Sequence, residues 1–120
     1  MVNINNNNIF EIIEDNKILI GLADKEKYPE EITISDGITK IGDCVFRNYS
    51  SLKKVVIPNS VTYIGTSAFE DCHSLKHVTI PDSVTCICRS AFYDCHSLEN
   101  IIIPKNTNIL GNAFGNCKSL

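Results

Sequence analysis

The sequence predicts a β-rich repeat solenoid, a short stack of coils, from three observations: a 23-residue period, apolar side chains recurring in phase, and turn formers closing each apolar segment. Ile34, Ile57, Ile80 and Ile103 are each 23 residues apart, and the last three are followed by Pro58, Pro81 and Pro104. The same phase is kept by Leu52, Leu75 and Leu98; by Val55, Val78 and Ile101; and by Ile38, Val61 and Val84. It is also kept by Ile41, Ile64, Ile87 and Leu110, and by Phe46, Phe69 and Phe92. The last repeat reads as losing one residue after Gly111, so that Phe114 and Cys117 arrive one place early. A deletion in a surface turn is cheap.

In chain order, residues 1–8 form an Asn-rich start of low complexity, expected to be disordered because it buries little. Residues 9–30 break the period, as a terminal capping element does. Two apolar runs there, 9–14 and 17–21, flank Asp15-Asn16, which predicts a β-hairpin cap followed by a polar connector over 23–31. Residues 31–120 are then read as about four repeats, the last one open-ended. Within one repeat, Leu52 to Ile57 is rich in β-branched residues and reads as a strand, ended by Pro58, which lacks a ladder donor, and by the Asn59-Ser60 turn. Val61 to Ile64 is a second, shorter extended segment closed by Gly65. Residues 67–72 are expected to form one helical or 3₁₀ turn capped by Ser67. No single repeat can bury its own apolar side chains, but stacked copies superimpose them at the strand spacing of about 4.8 Å.

The pattern Leu-x-x-Val-x-Ile-Pro-x-Ser-Val-Thr-x-Ile-Gly-x-x-Ala-Phe-x-x-Cys-x-Ser over 52–74, repeated with small changes over 75–97, resembles the BspA-like class of leucine-rich repeats. The first repeat departs from it at Ser35, Val45 and Tyr49, the third at Cys88, and the fourth at Asn106-Thr107. The resemblance implies a right-handed leucine-rich-repeat coil of short strands. It also implies a non-catalytic, protein-binding role, of the kind associated with surface proteins that adhere to host or matrix proteins. An intracellular interaction scaffold is the alternative. Localisation is split accordingly: the resemblance implies the cell surface or the outside, whereas the first ten residues lack the basic end and apolar stretch of a secretory signal.

Composition narrows the partners. Fourteen acidic and 11 basic residues are interspersed and give a net charge of −3, with no basic stripe for nucleic acid. No apolar run approaches the roughly 20 residues of a membrane span, so membrane insertion is not expected. If Leu52, Val55 and Ile57 point inward, the alternate side chains point out. That places Glu31, Thr33, Lys54, Val56, His77, Thr79, Asn100 and Ile102 in register on one exposed face, the candidate protein-binding site. The open end after Leu120 is a candidate edge for self-association.

Six cysteines follow the repeat and not a disulfide or zinc spacing. Cys72, Cys95 and Cys117 should stack as a buried column of free thiols, since like side chains pointing in parallel make poor disulfide geometry. Cys72-His73 and Cys95-His96 suggest a four-ligand zinc set on paper, but neighbouring side chains diverge, so no metal is expected there. His73 and His96 are expected to form an exposed turn ladder. The glycines at 42, 65 and 111 fall one per coil and make no phosphate loop, so neither a cofactor nor catalysis is expected.

Overall fold

A computed structural model describes residues 10–13, 17–22 and 29–120. The Asn-rich start, the Asp15-Asn16 turn and most of the connector lie outside the described residues. Nine short strands are present among the described residues: β1 (Phe10–Ile13), β2 (Ile18–Leu22), β3 (Glu31–Thr33), β4 (Lys40–Ile41), β5 (Lys54–Val56), β6 (Tyr63–Ile64), β7 (His77–Thr79), β8 (Cys86–Ile87) and β9 (Asn108–Ile109). They form a solenoid of about four coils walled by two sheets. One sheet runs β3-β5-β7 and the other β1-β2-β4-β6-β8-β9. Every pairing is parallel except β1 with β2, the antiparallel hairpin that lays β2 alongside β4. Parallel rungs follow directly from the repeat, because each coil returns to the same place with the same direction. In register, Lys54 faces His77 and Ile41 faces Ile64, 23 residues on.

The space between the sheets is filled by the in-phase apolar residues. Ile32, Val55 and Val78 come from one sheet, Ile41, Ile64 and Ile87 from the other, and Leu19 of β2 seals the lower end, all buried. Phe46, Phe69, Phe92 and Phe114 stack with ring centroids 4.8, 5.0 and 5.2 Å apart and planes within 5°. Aromatic pairs left to themselves prefer offset or edge-on contacts. Here the coil spacing imposes the parallel arrangement.

Three expectations are corrected. The third side of each coil is not a helical or 3₁₀ turn but an arc of successive tight turns with left-handed residues at two fixed places: Cys44 and Asn48, Ser67 and Asp71, Ser90 and Asp94, Asn112 and Asn116. Ser67, at φ 57°, is a left-handed turn residue and not a helix cap. Alternate N–H groups explain why no helix forms. Ser67, Phe69 and Asp71 donate to Arg89, Ala91 and Tyr93 carbonyls of the next coil, while Ala68, Glu70 and Cys72 donate three residues back within their own coil. A helix would spend all of these donors internally and leave the coils untied.

The residue missing from the last repeat falls earlier than the sequence suggests. Asn108 N–H bonds Thr85 O as Thr85 N–H bonds Thr62 O, but Ile109 already sits over Ile87, 22 residues away. The last coil is thus already one residue short at Asn108, which pairs with Cys86, and Leu110 takes the Gly65 place instead of joining the Ile41, Ile64, Ile87 ladder. Leu110 is accordingly exposed. The run Ile109-Leu110-Gly111 allows either alignment, and only the hydrogen bonds decide.

The small sheet has no fourth rung among the described residues, contrary to the expected register of Asn100 and Ile102. Glu99 N–H still bonds Lys76 O, but Asn100 turns left-handed at φ 46° and residues 101–104 leave the ladder. Asparagine enters that conformation more easily than other residues. Asn100 and Ile102 therefore do not continue the sheet in register.

Candidate protein-binding face

The three strands β3, β5 and β7 each show an exposed, buried, exposed alternation, so their outer side chains form two rows. One row is Glu31, Lys54 and His77, and the other is Thr33, Val56 and Thr79. Six of the eight expected residues are thus brought together on one surface. The buried centres, Ile32, Val55 and Val78, anchor each strand and hold the outer side chains at a fixed pitch. The face mixes an acid, two basic or titratable groups, two hydroxyls and the 39%-exposed Val56. Such variety suits a protein surface better than a polyanion or a lipid headgroup.

Asn100 and Ile102 stand beside this face and not on it. Ile102 is 82% exposed, and with Thr79 and Asn100 it lines a shallow depression at the upper margin. A second open depression runs past Thr33, Val56, Pro58 and Asn59 at the strand ends. The hydroxyl row is therefore bordered by concave surface that sequence reasoning did not foresee, because it depends on where the chain leaves the sheet.

On the opposite arc, cysteine and histidine diverge as expected from their adjacency. The Cys72, Cys95 and Cys117 thiols turn inward and donate to the Phe46, Phe69 and Phe92 carbonyls at 3.1, 3.2 and 3.1 Å. They are free, like the other three cysteines. Tyr49 holds this place in the first coil and donates its hydroxyl to Pro29 O at 2.5 Å. Burial pushes the Cys72 thiol up to about 12 and raises Cys95 as well, the opposite of what a thiolate nucleophile needs. His73 and His96 remain outside, their rings stacked at 4.9 Å and 2°. Sequence reasoning missed their carboxylate neighbours, Asp71 and Asp94, although the signal, a repeated Asp-Cys-His, was present.

The sequence matches the model of the BspA type leucine-rich repeat region over residues 25–120. No curated protein sequence matches the chain. Among solved structures, the leucine-rich repeat protein of T. pallidum superposes with a TM-score of 0.84 at 27% identity, covering 95% of this chain and 56% of that one. A leucine-rich cell surface protein from Faecalibacterium prausnitzii gives 0.82 at 30% identity, covering 92% of this chain and 30% of that one. The pneumococcal vaccine antigen PcpA gives 0.77 at 28% identity, covering 85% and 25%. The chain thus spans little more than half of the T. pallidum protein and less than a third of the F. prausnitzii protein.

Proposed function

The chain belongs to the BspA-type leucine-rich repeat family, and from that premise we propose that it is a non-catalytic, adhesin-like binding module, working at a cell surface or outside the cell. The partner is a protein of host or matrix origin, gripped by the face of β3, β5 and β7. The carrying observation is the fixed register of Glu31, Lys54 and His77 beside Thr33, Val56 and Thr79. A surface held rigid by a buried ladder pays little ordering entropy on binding. Solenoids generally bind through such extended faces. The surface location is supported by the F. prausnitzii structure, that of a cell surface protein, and by PcpA, a vaccine antigen.

Capture of a partner from matrix protein preparations by the intact chain, compared with capture by a Lys54→Glu and His77→Glu double variant, tests this reading. Loss of capture by a folded variant supports it, and undiminished capture moves the binding surface elsewhere. Self-association through the last coil is the other contact expected from the sequence, and it predicts concentration-dependent sedimentation of the purified chain.

A further inference from the structure

The arc opposite the binding face carries a second cluster, built from two successive Asp-Cys-His units. His73 Nε2 lies 3.4 Å from Asp94 Oδ2 and 3.8 Å from Asp71 Oδ1. His96 Nε2 is 2.5 Å from Asp94 Oδ1, and Asn116 Nδ2 donates to that same oxygen at 2.7 Å. The ligating atoms of His73, Asp94 and His96 all lie within 4.8 Å of one another. We propose that these three side chains form a binding site for a borderline divalent cation, Zn²⁺ foremost, with two imidazole nitrogens and one carboxylate oxygen as ligands and the remaining positions open to water.

The donor set selects the ion. Two imidazoles with a carboxylate favour zinc, cobalt or nickel over magnesium and calcium, which take oxygen ligands. Bond lengths of about 2.0–2.2 Å to a tetrahedral zinc put neighbouring donors about 3.3 Å apart. The separation of His73 from Asp94 is already of that size. His96 has to open from Asp94, and it is free to do so because the His73 and His96 side chains are 50% and 40% exposed. The backbone beneath does not need to move. Asp71 N–H and Asp94 N–H are each tied to the next coil at 2.9 Å, and the parallel rings show that the two histidines share one direction. Asn116, which donates to Asp94, orients that ligand as outer-shell partners do in zinc sites. The thiols take no part, being turned into the core.

The chain has three histidines, and His77 on the far sheet serves as an internal reference. The test is titration of the reduced, intact chain with zinc chloride near neutral pH, followed by the imidazole resonances and by calorimetry. The expected result is that His73 and His96 resonances shift or broaden together while His77 stays. His73→Gln and His96→Gln should each weaken zinc binding by more than about tenfold, since even outer-shell changes cost that much. His77→Gln should leave it unchanged. Zinc uptake with unmoved His73 and His96 resonances would assign the metal to thiols and overturn the proposal. So would equal affinity in the His96→Gln chain, or no uptake.

Discussion

Phe69 and Phe92 lie one coil apart with ring centroids at 5.0 Å and planes 4° from parallel, both fully buried. Replacing Phe69 by alanine opens a hole between two other rings and should cost about 3–5 kcal/mol. That is a large share of the roughly 5–15 kcal/mol that holds a domain together. Phe114, at the partly exposed end of the column, should cost clearly less. Urea unfolding of the two alanine variants checks the order, and equal losses would contradict the column as the core.

The glycines should divide by position. A Cβ at Gly65 would stand 2.7 Å from Gly42 C and 2.8 Å from Ile41 O, backbone atoms of the coil below. Gly65→Ala should therefore destabilise by about 1–3 kcal/mol, the range for overpacking. Gly111 has nothing within 4 Å, and Gly111→Ala should be close to neutral. Thermal midpoints of both variants provide the measurement.

Exchange of Lys54 and His77 for glutamate should change stability by no more than about 0.5 kcal/mol per site, because both side chains face solvent. Partner capture should fall while the unfolding curve stays in place. A shifted curve would make any lost capture uninformative about the face.

The thiol column predicts alkaline sensitivity. Burial raises Cys72 from 9.0 to about 12 in the folded chain, so the folded state holds this proton more tightly than the unfolded one. The associated stability is complete below about pH 9 and is lost as the pH rises toward 12. Cys95 adds to this in the same direction. Stability measured from pH 7 to 11 should fall at the alkaline end, and less steeply in a Cys72→Ala chain. Alkylation at pH 8 should reach exposed Cys44 well before Cys72 or Cys95.

The fold was largely legible because a solenoid writes its packing into a period. The sequence alone places Phe46, Phe69 and Phe92 in one column, since like positions must superimpose when coils repeat. Six face residues were legible for the same reason, by alternation on either side of Ile32, Val55 and Val78. What stayed hidden depends on single backbone angles. The left-handed turn at Asn100 removes its own rung from the sheet, and the paired left-handed residues replace a helical turn by an arc. Apolar spacing carries no information about φ. Nor could it separate Ile109 from Leu110 as the residue over Ile87, because both are aliphatic. The Asp94 contacts with His73 and His96 required knowing that the arc turns its polar side chains outward together.

The last coil, one residue short where Ile109 sits over Ile87, nevertheless delivers Phe114 to within 5.2 Å of Phe92. The ring column is thus indifferent to a shortening made upstream of it. A coil can therefore lose a residue ahead of its arc while its ring keeps the spacing of the column.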